Sequence, residues 1–288
     1  MRVVLGLSYS GAGYLGWQSQ PGGQTVQDRL EAALARFADR PVRTVCAGRT
    51  DTGVHALNQV VHFDCDVERQ PGSWVRGTNT YLPRDIAVQW CRTVAAETET
   101  ETETETEPEP EPEPEPERAQ PSLRGFHARY SARARRYAYV LLESPVRPAV
   151  ERGQVGWVFR ALDAQAMRAA ATCLIGEHDF SSFRSSECQA ASPVKTLASI
   201  DITQRGAYWR FDFEANAYLH HMVRNLMGCL IAVGQGVRSA QWLAHVLEAR
   251  DRRLAAPTFA PDGLYFLGPL YDADFALPER TAAFDWLV

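Results

Sequence analysis

The sequence predicts an α+β protein built from two halves of one topology, with their sheets joined around a central cleft. Three observations predict it. The order strand, helix, strand, strand, helix, strand can be read twice along the chain. A low-complexity acidic tract lies between the two readings, and 288 residues suffice for two hydrophobic cores. The 45% apolar and 23% charged fractions are those of a globular protein. No stretch approaches the roughly 20 apolar residues that a membrane-spanning helix needs.

In the first half, residues 2 to 9 alternate as a strand. Thr25 is placed to cap a helix whose apolar stripe is Val26, Leu30, Ala33, Leu34 and Phe37. Val42, Thr44 and Cys46 alternate as a second strand, and residues 56 to 65 form a third. A helical stretch over 73 to 80 precedes a strand over 85 to 94. This is the ferredoxin-like β-α-β-β-α-β order.

The order returns in the second half. Residues 132 to 142 read as a strand, and Asp163 caps a helix through Leu174. Strands at 194 to 204 and 207 to 216 turn at Arg205-Gly206. Helices over 220 to 233 and 239 to 249 precede a last strand, 264 to 270. The expected division is an N-terminal half over 1–96, an acidic linker over 97–121 and a C-terminal half over 122–288. Within the linker, Glu-Thr alternation gives way to Pro-Glu alternation with no apolar face to bury, which predicts a solvated, extended spacer.

The net charge of −5 hides two opposite regions. Residues 97 to 117 hold eleven glutamates and no basic residue, so the rest of the chain carries +6. Lys195 is the only lysine; the other 29 basic residues are arginines, whose planar forks suit phosphate and stack on bases. Arg118, Arg124, Arg129, Arg133, Arg135, Arg136, Arg147 and Arg152 crowd one stretch, a pattern compatible with RNA binding or with a solvated surface. The six cysteines are scattered, without a Cys-x-x-Cys pair, and read as reduced thiols. His62-x-x-Cys65 is half a zinc pattern without a second half. Met1 runs straight into a strand without signal-peptide regions, so a cytoplasmic location is expected.

Between the second and third strands lies Ala47-Gly48-Arg49-Thr50-Asp51-Thr52-Gly53-Val54-His55-Ala56. Gly48 and Gly53 permit an irregular backbone that pushes Asp51 out of the sheet. Arg49 stands two residues earlier, where its guanidinium can pair with the carboxylate. An oriented carboxylate is what nucleophilic attack at a sugar or base carbon requires; an Asx turn in a hairpin is the alternative. Asp51-Thr52-Gly53 also spells the aspartic-protease triplet, but such a protease shares a proton between two carboxylates and this chain holds a single copy.

The segment Gly48-Arg49-Thr50-Asp51-x-Gly53-Val54-His55-Ala56 resembles the active-site motif of the TruA-type tRNA pseudouridine synthases. The resemblance continues in family order through Tyr14-x-Gly16-Trp17-Gln18, Phe126-His127-Ala128-Arg129, Arg136-Tyr137-x-Tyr139 and Asp179-Phe180-Ser181-Ser182-Phe183. It ends with His220-His221-Met222-Val223-Arg224-Asn225 and Gly263-Leu264-Tyr265. It implies the pseudouridine-synthase fold, a homodimer, and tRNA as substrate. The implied reaction converts uridine to pseudouridine at positions 38, 39 or 40 of the anticodon stem-loop, with no metal and no organic cofactor. Asp51 and Arg49 are then catalytic residues. Tyr137 stacks on uracil and handles a proton, Arg224 lies near the carboxylate, and Leu264 forms an apolar wall. The adjacent histidines are expected to diverge on a helix and to be structural. The acidic tract departs from the family pattern.

The alternative of another class is a non-catalytic RNA-recognition-motif-like binding module. That fold shares the strand order, and Arg205-Gly206-Ala207-Tyr208-Trp209 faintly echoes its aromatic signature. The echo fails at its third and fourth positions, and a binding module has no use for an Arg49/Asp51 pair.

Overall fold

The computed structural model describes residues 1–94 and 125–278. The acidic tract, with Arg118 and Arg124, therefore lies outside the described residues. The first half runs β1 (Arg2–Tyr9), α1 (Val26–Ala38), β2 (Val45–Cys46), β3 (His55–Asp64), α2 (Pro71–Tyr81) and β4 (Ile86–Val94). The second runs β5 (Ala134–Glu143), β6 (Gly156–Val158), α3 (Ala164–Ala171), β7 (Gly176–Asp179), β8 (Val194–Arg205), β9 (Tyr208–Ala215), α4 (Met222–Gly234), α5 (Ala240–Ala249) and β10 (Leu264–Leu270). Thr25 and Asp163 cap α1 and α3 as expected, accepting from the backbone N–H groups of Asp28 and Ala166.

The strands form one continuous sheet in the order β4-β1-β3-β10-β5-β9-β8-β7, with β2 attached to β3 and β6 to β5. Each half contributes the same spatial pattern. In the first, β1 lies between β4 and β3, and β2 flanks β3; in the second, β5 lies between β10 and β9, and β8 flanks β9. The halves meet where β10 runs parallel to β3, with Tyr265 opposite His55 and Phe266 opposite Ala56.

The second strand is shorter than the sequence reading. Alternation of Val42, Thr44 and Cys46 predicted a full strand, and Val42 and Thr44 are indeed buried. Only Val45 and Cys46 pair with β3, opposite His62 and Val61; before them the Thr44 N–H and carbonyl are taken by the Glu31 and Gln27 side chains of α1, and beyond them β10 occupies the same edge. The chain therefore leaves the sheet at Ala47 and crosses the junction as a loop. Apolar side chains on one face of β1, β3, β5 and β9 pack with those of α1 to α5 in the main core, with Trp17, Trp74, Phe211 and Phe213 among its fully buried members. Alternate residues such as Val4, Val60, Ala138 and Val140 form smaller clusters on the opposite face.

Candidate active site

Asp51 sits on the loop that crosses the sheet junction. The loop replaces missing strand pairing with side chains: Gln59 on β3 donates to the carbonyl of Gly48 at 2.5 Å and accepts from its N–H at 3.4 Å. Thr50 points inward, its hydroxyl 2.8 Å from that of Tyr9 on β1, while its carbonyl accepts from Trp17 N–H at 3.0 Å. Gly53 takes φ +81°, a left-handed conformation that residues with a Cβ rarely adopt, and closes the turn with Val54 N–H donating to the Asp51 carbonyl at 3.1 Å. Asp51 is thus presented from a backbone tied at both ends, its side chain 20% exposed.

Trp17 supports this loop from below and is 1% exposed. Trp17→Ala is expected to remove about 3–5 kcal/mol of folding stability, as indole-to-methyl truncations in cores do. Denaturant unfolding measures it; a loss under 1 kcal/mol would mean that Trp17 does not support the loop.

His55 fixes the downstream end. Its Nδ1 accepts from Gly11 N–H and its Nε2 lies 3.1 Å from the Asp262 carbonyl, so Nε2 carries the proton; its ring stacks on Tyr265 with centroids 4.6 Å apart. Burial lowers its pKa and keeps it neutral. Arg135, on β5, binds the upstream end to the other half. Its guanidinium donates to the carbonyls of Ala47 (3.3 Å), Ala132 (3.0 Å) and Asn216 (2.9 Å), and to that of Arg129.

Above this loop opens a cleft of about 990 Å³ whose wall includes Asp51, Arg49, Tyr137, Arg224 and Leu264, the five residues singled out from sequence. Four separate segments supply them. Tyr137 lies on β5 between Phe213 of β9 and Phe266 of β10. Its ring is 5.0 Å from those of both Phe266 and Tyr218. It shares its buried face with Tyr139 and Leu141, so it is at once a core residue and part of the cleft wall. Burial and the nearby Asp51 carboxylate push the Tyr137 hydroxyl far above the ordinary phenol range, which keeps it a proton donor. Leu264 opens β10 beside it.

One expectation is corrected here. Among the described residues, the basic side chains facing the Asp51 carboxylate are Arg224, with Nη1 at 3.5 Å, and the imidazoles of His220 and His221, with Nε2 at 3.4 Å and 3.6 Å; Arg49 is not one of them. These groups come from the opening of α4, in the second half. Arg49 is exposed on the rim of the same cleft, because the loop turns Thr50 inward and leaves its neighbour facing solvent. Arg224 is held for its task, with Nε donating to the Phe259 carbonyl at 2.9 Å.

A second expectation fails in an instructive way. The two histidines do not diverge on a helix, because α4 begins only at Met222. His221 stands at the N-cap with φ +63°, a left-handed backbone that costs a non-glycine residue on the order of 1 kcal/mol. That kink brings the rings to 4.0 Å from each other and turns both toward Asp51. Burial lowers the pKa of His221 against the opposing pull of the carboxylate. The sequence offered one signal: no Ser, Thr, Asp or Asn stands at the cap position, so that side chain is not committed to capping. The three groups set their donor atoms within 4.8 Å of one another, close enough to share a metal ion. The Arg224 guanidinium on the same carboxylate opposes a second cation there.

With this geometry in place, comparison with known proteins is informative. The family model of the tRNA pseudouridine synthases matches residues 7–98 and 170–272. The tRNA pseudouridine synthase A of Methylibium petroleiphilum is 70% identical over 287 residues, covering 100% of both chains. Those of Paracidovorax citrulli and Polaromonas naphthalenivorans are 62% and 60% identical, again over 100% of each chain. The matched segments carry the Asp51 loop, α4 and the opening of β10. The chain belongs to the tRNA pseudouridine synthase family.

Proposed function

We propose that this chain isomerises uridine to pseudouridine at positions 38, 39 and 40 of the anticodon stem-loop of tRNAs, with Asp51 as the nucleophile. Family membership carries the reaction class, the isomerisation of uridine in tRNA. The observation that supports the roles of the residues is a single cleft holding Asp51, Arg49, Tyr137, Arg224 and Leu264. Its volume of about 990 Å³ is at the upper end of small-ligand pockets, enough for a nucleotide that has left its helix.

The target base must leave the stack before any side chain reaches it, at a cost of a few kcal/mol of unstacking. Arg49, on the rim, is suited to fill the space the base vacates and to hold phosphate. Leu264 and the Tyr137 ring enclose the uracil between apolar surfaces. Asp51 then attacks, at either the ribose C1′ or the uracil ring. The N1–C1′ bond breaks, the uracil turns within the cleft, C5 bonds to C1′, and the bond to Asp51 breaks to restore its carboxylate. The C5 proton departs and N1 gains one, so atoms and charge balance without a redox partner. The Tyr137 phenol, kept protonated by its surroundings, serves as hydrogen-bond donor during these transfers. Arg224 and the two histidines hold the Asp51 carboxylate toward the cleft.

In this reading residues 1–96 form the catalytic half and 122–288 complete the pocket and the RNA surface, in a cytoplasmic homodimer. The eleven glutamates of residues 97–117 repel RNA phosphates or compete for the arginines. Deleting 97–117 is therefore expected to leave kcat unchanged and to tighten tRNA binding two- to fivefold at low salt, roughly the effect of one or two weak charge contacts. Filter binding at two salt concentrations measures it; weaker binding would reverse the sign assigned to the tract.

The proposal is tested with tRNA transcripts carrying uracil tritiated at C5, with uridine restricted to position 38, 39 or 40. Tritium release from each is expected. Release only from uridines elsewhere would reject the anticodon-arm assignment.

A further inference from the structure

At the mouth of the cleft the chain exposes an aromatic ring that its own packing does not explain. Tyr130 is 77% exposed and, with Arg129, lines the rim of the cleft that holds Asp51. Exposed rings are common on protein surfaces, and exposure alone says little. What distinguishes Tyr130 is the apparatus that holds it still.

His127 Nδ1 accepts two backbone N–H groups, from Arg129 and Tyr130, each at 3.2 Å. The His127 ring stacks under Tyr130, with centroids 4.3 Å apart and planes 27° from parallel. The turn is closed by His127 N–H donating to Ser131 Oγ at 3.0 Å and Ser131 N–H donating to the His127 carbonyl at 2.9 Å. Its base is pinned to the first half through Ala128 N–H to His62 Nδ1 at 3.1 Å, with Phe126 and Ala128 buried against Val4 and Val60. The Arg129 guanidinium lies 5.7 Å from the ring centroid, and Arg135 holds the Arg129 carbonyl.

The arrangement is a hydrogen-bonded turn that presents an exposed aromatic ring beside exposed guanidinium groups at the entrance of a polar cleft. A ring stacked on a fixed support and still largely exposed is a stacking platform, and neighbouring arginines supply the charge that an RNA backbone seeks. We propose that Tyr130 stacks on an unpaired base of the RNA substrate next to the everted uridine, with His127 supporting the ring from behind and Arg129 engaging the adjoining phosphate. The inference rests on the proposed isomerisation of tRNA and adds to it a binding subsite outside the catalytic set. Pre-ordering of the ring means that little side-chain freedom is lost when the base arrives.

The experiment compares Tyr130→Ala, Tyr130→Leu and Tyr130→Phe with the wild-type chain by tritium release from C5-labelled tRNA and by thermal unfolding. Because the ring is exposed, all three variants are expected to keep the wild-type Tm. Tyr130→Ala and Tyr130→Leu are expected to raise KM by roughly 5- to 100-fold, the range of one lost base–aromatic stack, with kcat within about twofold. Tyr130→Phe is expected to match wild type. An unchanged KM in Tyr130→Ala, or rescue by leucine as complete as by phenylalanine, overturns the stacking role while wild-type turnover leaves the isomerase reading intact. Absence of turnover in the wild-type chain itself rejects that reading, and the subsite with it.

Discussion

Asp51→Asn is expected to reduce pseudouridine formation by roughly four orders of magnitude or more, the loss seen when a covalent nucleophile is removed. The substitution keeps the shape of the side chain and removes its charge and nucleophilic oxygen. Arg224 then loses its counter-ion, and His220 and His221, which also lie within 3.6 Å, lose the carboxylate they face. The loop should nevertheless survive, because Thr50, Gln59, Gly53 and Trp17 hold it through groups that the substitution does not touch. The expected result is therefore a folded chain that binds tRNA near wild-type affinity and does not turn it over. A residual rate within tenfold of wild type would remove Asp51 from the chemistry.

Tyr137→Phe is expected to be the second most damaging change to turnover, slowing kcat by about 10²- to 10⁴-fold, the usual share of a positioned proton donor. The ring remains, so the contacts with Phe266 and Tyr218 are kept and tRNA affinity should change little. The hydroxyl is lost from a site where burial and Asp51 hold it protonated. Single-turnover kinetics at saturating enzyme separate the two effects. A large rise in Kd with an unchanged single-turnover rate would make Tyr137 a binding surface only.

Local patterns carried much of the fold because most elements announce themselves locally. β10 runs from Leu264 to Leu270 as read, and the Thr25 and Asp163 caps fall where their helices begin. Two strands escaped for physical reasons. β7 spells Gly-Glu-His-Asp at the sheet edge, with no apolar face to betray it, and β6 is three residues long beginning with Gly156. β2 was overestimated because the Thr44 N–H and carbonyl are taken by the Glu31 and Gln27 side chains of α1 rather than by β3. The joining of the two sheets was expected, though not that β10 and β3 carry it.

The site divides in the same way. The glycine-flanked loop made Asp51 a candidate with an Asx turn as the alternative, and nothing local ties it to Tyr137, Arg224 and Leu264; only the family resemblance joined them. Pairing Asp51 with Arg49 was an inference from short spacing, and it failed because the inward turn of Thr50 sends its neighbour outward. The groups facing it come instead from the opening of α4, where the left-handed backbone of His221 breaks the helical geometry that adjacency implied.

The most direct test of the account is a position-resolved measurement of pseudouridine in the anticodon arm. Total tRNA is taken from cells lacking this chain, and from the same cells supplied with the wild-type gene or with Asp51→Asn. The account requires modification at positions 38, 39 and 40 to disappear on deletion, to return with the wild-type chain, and to stay absent with Asp51→Asn. Modification that survives deletion, or returns with the asparagine variant, would contradict it.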